Sequence, residues 1–409
     1  MASATESKGK HPDGMIRNIL LLSCGWCFGV AAPFVQISTS AVVAQELVGT
    51  EYATVPLGVI MVVSAFSAGT VPMLSERYGT QRVYLSGALL GLFGATLCFS
   101  AVQWLEGSTA FALFVAGSFP QGITYACING FRFTAVQLST TDFAPKAISL
   151  VIAGGIFASV AGPLVALWSR TALEVNFAGA YLHVMVLYVF LFISIYFIDF
   201  SKAPSKQHNT DPEKATPVEK RPLFAIVGRR KVLAVIALQA ISYSGMAALM
   251  SALPPAMILD GFSFNQSTFA IVAHMLGMFV PSLFSGDLVA KFGKYRFMVF
   301  GFLILLLGSL LFLVNRSLEI YIIGILIVGI GWNFSFVPAS AIFATFFTPA
   351  EKSYVVSFNE FIVIGILGIV IASSATILNA LGWVNFTVVF SVYVGIGLVL
   401  SSIECMLND

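Results

Sequence analysis

Twelve runs of predominantly apolar residues, divided by mostly short polar gaps, leave this 409-residue chain almost no sequence with which to face water. A helix of roughly 20 such residues crosses a hydrocarbon layer of about 30 Å. The runs cover residues 17–40, 54–74, 83–103, 110–137, 146–168, 178–199, 232–254, 267–290, 296–315, 320–347, 353–378 and 384–404. Only 10% of the residues are charged, against about 25% in soluble domains, and the mean hydropathy is +0.92. Soluble, disordered, fibrous and nucleic-acid-binding chains are excluded, and so is an outer-membrane barrel, whose strands would alternate over about ten residues. The expectation is an all-α membrane protein with twelve transmembrane helices. The first run follows a polar segment, Met1 to Gly14, and lacks a small-residue cleavage site, so it reads as a span and not as a removed signal. The five cysteines are odd in number, and four lie in apolar runs, which argues against a disulfide framework.

One long polar segment divides the spans into two sets of six. The expected organisation is a cytoplasmic N-terminal segment (1–16), an N-terminal six-helix bundle (17–200), a basic cytoplasmic linker (201–231) and a C-terminal six-helix bundle with a short cytoplasmic tail (232–409). The linker carries Lys202, Lys206, Lys214, Lys220, Arg221, Arg229, Arg230 and Lys231, and it reads as a tether near anionic lipid. With both termini cytoplasmic, only Arg170 and Arg316 of the 21 Lys and Arg fall outside, whereas Glu46, Glu51, Glu106, Glu174, Asp260 and Glu319 do. That asymmetry sets the expected orientation.

The halves repeat. Glu76-Arg77-Tyr78-Gly79, then Arg82 and Gly87, match Ala290-Lys291-Phe292-Gly293, then Arg296 and Gly301, at a constant offset of 214. Both copies lie between the second and third spans of their half, the parallel-repeat arrangement of a rocking transporter. This loop, with Asp287 ahead of its second copy, resembles the loop signature of the major facilitator superfamily. Pro72 stands where that signature's first Gly is usual, and Glu76 replaces its Asp. The resemblance implies the major facilitator fold, a cavity lined by spans one, four, seven and ten, and alternating access. It also implies a gating latch of Glu76, Arg77, Arg82, Asp287, Lys291 and Arg296; these charges equally serve as topology signals.

Five of the twelve methionines, Met246, Met250, Met257, Met275 and Met278, fall within 33 residues. Met246 with Met250 on span seven, and His274 with Met278 on span eight, are each four apart and therefore share a helix face. At 1.5 Å per residue the four lie about 6 to 17 Å below the outer surface. Thioethers and an imidazole without a carboxylate suit Cu(I) and not Mg or Ca. Methionine is also a flexible filler of apolar cores, but a histidine within the membrane reads as functional. The paired motifs are similar to those of CcoA-like copper transporters, a major facilitator branch that also holds riboflavin transporters. The resemblance implies Met246, Met250, His274 and Met278 as copper ligands and the bacterial cytoplasmic (inner) membrane as the location. It further implies supply of copper for cytochrome oxidase assembly, with a copper chaperone or assembly factor as partner and no cofactor beyond the transported ion.

Other polar positions have two readings each. Cys24 and Cys27 on span one are either a relay for the ion or small packing residues. Arg132 and Glu360, the clearest intramembrane charges, are either a gating and coupling pair or a structural one. Tyr125, Asn129, Gln239, Tyr243, Trp332, Asn333 and Asn359 either line a cavity for a planar organic substrate or bond between helices. His183 reads as a packing residue, and Gly162-Pro163 is a partial antiporter signature without its second Gly pair. No phosphate loop, His-Glu-x-x-His helix or Gly-x-Ser-x-Gly elbow points to an enzyme. The residues and the resemblance together favour a secondary transporter importing copper. The alternatives are an organic solute importer, such as one for riboflavin, and a non-transporting metal sensor or assembly partner.

Overall fold

The computed structural model describes residues 14–140, 143–200, 221–348 and 351–408. Their order is α1 (Met15–Val48), a 3-10 turn (Thr50–Tyr52), α2 (Val55–Tyr78), α3 (Thr80–Trp104), α4 (Gly107–Asn129), α5 (Phe131–Gln137), α6 (Ala144–Ser169) and α7 (Ala178–Tyr196). After the linker come α8 (Leu223–Val227), α9 (Arg230–Leu259), α10 (Phe264–Phe279), α11 (Ser282–Phe292), α12 (Lys294–Leu311), α13 (Leu318–Phe343) and α14 (Lys352–Asn408). By length and composition nine of the described helices are able to cross a bilayer, ten with the bent pair α10 and α11 taken together. The remaining two spans come from α6, whose shorter apolar part is Ala153–Ser169, and from α14, whose 57 residues leave helical geometry at Gly382 and so supply two crossings.

Differences from the sequence reading have local causes. The first span continues to Val48 because Thr39 and Ser38 return their hydroxyls to carbonyls one turn back, which makes a polar stretch tolerable inside a bundle. The eighth span is broken before Ser282 and bent by 41°; Pro281 has no amide hydrogen to continue the ladder. Asn333 holds the break, donating to the Met278 carbonyl (2.8 Å) and to Ser282 Oγ (2.6 Å).

The internal repeat is visible in the backbone. Gly79 (φ 91°, ψ 136°) and Gly293 (φ 85°, ψ 146°) make the same turn, between α2 and α3 and between α11 and α12. Their amides bond Ser75 O and Val289 O, both at 3.0 Å. That conformation is open to glycine and costly for other residues.

Each half returns to its starting face. Asn18 near the start of α1 bonds the backbone of Asp199 beyond α7. At the start of α9, Arg230 pairs with Glu404 at 2.8 Å and Lys231 bonds Asn408 at 2.7 Å, both near the end of α14. The face where these ends gather is called the linker face below. Large apolar side chains on α3, α7, α12 and the end of α14, among them Phe93, Phe190, Leu307 and Val399, point outward and exposed. Such a surface suits hydrocarbon, since in lipid only the backbone needs internal partners.

The halves meet along α2 with α14, α6 with α10, and α1 with α9. Small residues allow the closest approach: a Cβ on Gly368 would lie 2.6 Å from the Val62 amide. Toward the far face α1 is buried on all sides from Gly29 to Ala44, and α9 from Ser244 to Met257. Toward the linker face Cys24 is exposed, and Trp26, Cys27, Tyr125 and Asn129 are half-buried. The structure is therefore sealed at the far face and more open toward the linker face.

Candidate functional site

Four helices bring the expected cavity residues together at the junction of the halves. The Tyr243 ring (α9) lies 5.2 Å from that of Trp332 and 5.1 Å from that of Phe336 (α13). Trp332 and Phe336 stack at 5.3 Å with planes 15° apart, a spacing four apart on one helix face. The Tyr125 hydroxyl (α4) interacts with Tyr243 and Asn129, so the cluster crosses from one half to the other. Beside it Gln239 (α9) and Asn359 (α14) exchange amide hydrogen bonds at 3.3 Å, and Ser340 donates to Gln239 at 3.4 Å. The buried Trp332 Nε1 has no hydrogen-bond partner. Asn333 does not belong to this group; it is spent on the break at Ser282.

Below the cluster Arg132 Nη2 lies 3.4 Å from Glu360 Oε1, and Arg132 Nε donates to the Asn129 carbonyl. Among the described residues this is the one ion pair that joins the halves. The pairing foreseen for the two intramembrane charges is present, with both groups partly accessible.

The sulfur and imidazole residues lie on the sealed side. Met246 and His274 are completely buried, and Met250 and Met278 nearly so. His274 Nδ1 is 2.9 Å from the Ile325 carbonyl of α13. A carbonyl only accepts, so Nδ1 carries the proton, and in the neutral ring Nε2 presents a lone pair. That Nε2 is buried and without a partner. The ring is held firmly because α10 rides on α13: a Cβ on Gly329 would sit 2.6 Å from the His274 carbonyl. All three methionines belong to the same buried cluster of side chains, and α9 touches α10. Among the described residues no three His, Cys, Asp or Glu side chains gather at one point; an ion here would depend on the thioethers.

The loop residues form no cross-half ion pair among the described residues. Glu76 lines a crevice with Ser353 and Ser357 of α14. Arg77 and Lys291 each lie over the ring next in sequence, Tyr78 and Phe292, and Arg82 borders a separate crevice. Asp287 is exposed. Cys24 and Cys27 are neighbours near the linker face, remote in sequence and level from His274. His183 Nδ1 bonds the Gly179 carbonyl of its own helix at 2.8 Å, as a packing residue would.

Two groups were not singled out in the sequence. Arg170 lies over the rings of Phe177 and Phe264 at the far face, and Arg221 grips Glu351 at the linker face. The first had a signal, a cation on the side otherwise poor in them.

The sequence model of the Major Facilitator Superfamily matches residues 18–247 and again 235–405. The chain belongs to this superfamily. It is a multi-pass membrane protein and a secondary transporter of that type. It is 28% identical over 373 residues to a riboflavin transporter, RfnT, of Brucella anthropi, covering 90% of each chain. It is 24% identical over 337 residues to an uncharacterized transporter of the same superfamily, YdeG of Bacillus subtilis, covering 80% of this chain and 77% of that one. Among solved structures the nucleoside transporter NupG superposes with a TM-score of 0.67 over 97% of this chain and 100% of that chain, at 13% identity. That likeness concerns the fold alone.

Proposed function

We infer that this transporter carries copper inward across a cytoplasmic membrane, with Met246, Met250, His274 and Met278 as its ligands. The observation that carries the reading is the buried, unpartnered Nε2 of His274. An imidazole that donates its other N–H to a backbone carbonyl is arranged as metal-binding histidines are. The other donors assigned to the site are neutral thioethers, which select Cu(I) over harder cations. In this state the four residues are shut off from the far face, and rocking of the halves would expose them there before closing and releasing the ion toward the linker face. Cys24, exposed, and Cys27, half-buried, lie on the exit side, placed to take the ion next. Glu360 beside Arg132 is the carboxylate in position to couple release to a proton.

A second reading is favoured by the aromatic cluster. Tyr243, Trp332 and Phe336, flanked by the Gln239 and Asn359 amides, offer stacking faces and edge hydrogen bonds to a planar heterocycle, and the relative from Brucella anthropi carries riboflavin by name.

Uptake of radioactive copper and of riboflavin by cells expressing the wild type, His274→Ala and Trp332→Ala separates the readings. Copper transport should fall more than about tenfold in His274→Ala, since even outer-shell partners of metal ligands are worth 10 to 100-fold, while surface abundance stays the same. Riboflavin flux lost in Trp332→Ala and indifferent to His274→Ala would replace copper with the second reading. Flux of neither would leave a sensor or assembly role.

A further inference from the structure

Away from the transport pathway, at the linker-face end of the outer surface, α2, α3 and α4 enclose a crevice of about 240 Å³. Its two ends differ in chemistry. Toward the linker face it is bordered by the side chains of Tyr78, Arg82 and Ser86. All three are exposed, and none makes a side-chain hydrogen bond or ion pair among the described residues; Tyr78 has only the Arg77 guanidinium over its ring. Deeper toward the hydrocarbon the walls are apolar, supplied by Leu74, Leu90 and Ile123. The floor exists because Gly87 has no side chain: a Cβ there would meet Cys127 Sγ at 2.7 Å. From Arg82 to Leu90 the groove runs eight residues along α3, about 12 Å.

A cation with two hydroxyl donors at one end and a hydrocarbon-lined slot at the other matches one kind of molecule in a membrane. We propose that this crevice binds an anionic phospholipid of the linker-side leaflet. Its phosphate lies against Arg82, with Tyr78 and Ser86 donating to its oxygens, and one acyl chain fills the slot between Leu74, Leu90 and Ile123. Charge complementarity selects the head group, because among the described residues no carboxylate pairs with Arg82, and the slot selects a lipid over free phosphate. Arg82 and Gly87 are also where the repeated loop differs from a bare turn. The bound lipid would therefore brace the α2–α3 corner.

Native mass spectrometry of the full chain in detergent tests this with palmitoyl-oleoyl phosphatidylglycerol, the phosphatidylcholine of the same chains, and inorganic phosphate. The expected result is retention of phosphatidylglycerol about fivefold over phosphatidylcholine, the share of one basic residue at an anionic surface. Arg82→Gln should abolish that preference, and Leu90→Trp, filling the slot, should lower retention of both lipids. An unchanged preference in Arg82→Gln, or displacement of the lipid by inorganic phosphate, overturns the proposal. Should Arg82→Gln fold poorly, phosphatidylglycerol bearing a photoreactive acyl chain serves on the wild type. Adducts on the segments holding Leu74, Leu90 or Ile123 support the site, and adducts confined to other helices reject it.

Discussion

The Arg170 guanidinium, at the end of α6 in the first half, lies 4.9 Å from the ring centre of Phe264, at the start of α10 in the second. Phe177 completes the group, with its ring 5.1 Å from the same guanidinium and 5.2 Å from that of Phe264. Phe264 is the one fully buried second-half member of a cluster otherwise built from Val42, Val43, Cys98, Ala101, Phe114, Phe177 and Tyr181. Its side chain is thus wedged between first-half side chains at the far face. Phe177 itself is locked at φ 67°, a conformation that a bulky residue adopts only when its surroundings force it.

Phe264→Ala removes an aromatic pair and a cation–π contact, together about 1 to 2 kcal/mol. The ratio of far-face-open to closed molecules should rise by about 5- to 30-fold. Labelling of a Ser40→Cys reporter, buried on α1 at that face, measures it with a reagent added on the far-face side. Equal labelling rates with and without Phe264 would show that the wedge does not hold the seal.

At the other end of the pathway Arg132 and Glu360 join the halves across 3.4 Å. Either charge reversal alone should lower transport by leaving two like charges at the junction, and Arg132→Glu with Glu360→Arg should recover a measurable part of the loss. Uptake assays on the three variants, corrected for surface abundance, decide it. No recovery in the double variant would mean that the two groups act separately.

That pair was legible in the sequence because lipid tolerates so few charges: two intramembrane ions of opposite sign had a strong reason to meet. The spans and the repeat were legible for similar reasons, one from bulk hydropathy and the other from a glycine turn whose backbone recurs at Gly79 and Gly293. The partner of His274 was not. It is the Ile325 carbonyl, and a main-chain acceptor leaves no mark in the side-chain sequence. Nor did Phe177 announce its left-handed backbone, since glycine or asparagine would be the usual signal. The junction inside α14 was foreseen as a gap of several residues, whereas Gly382 alone makes it.

The close seam between α2 and α14 depends on glycine. With Gly368→Val the new Cβ would come within 2.6 Å of the Val62 amide and 2.7 Å of its Cγ2, an overlap with backbone that only separation of the helices relieves. Transport should fall below a tenth of wild type, roughly the effect of a 1.4 kcal/mol penalty on one conformer, while Gly368→Ala retains more. Paired spin labels across the halves would detect the wider seam. Wild-type spacing and flux in the valine variant would show that the approach has slack.

At the linker face Arg221 forms a two-pronged bond with Glu351, Nε to Oε1 and Nη2 to Oε2, both 2.6 Å. The Thr348 amide also donates to Glu351, at 2.9 Å, and Tyr354 donates to the Arg221 carbonyl at 2.6 Å. The Arg221 side-chain hydrogen bonds, followed by the Thr348 amide, hold the Glu351 carboxyl far below the ordinary carboxylate range. A carboxyl depressed in the folded state stabilises it at every pH above its unfolded value, about 4.3, and the contribution fades as pH falls from there toward the folded value. Glu351→Gln should therefore lower the melting temperature of the detergent-solubilised protein by a constant amount from pH 8 to pH 5. From about pH 4 downward the two proteins should begin to converge, progressively as the pH falls further. Melting curves that stay parallel down to pH 3, or that converge near neutrality, would show that this fork does not tie the linker's end to the second half through an ionised Glu351.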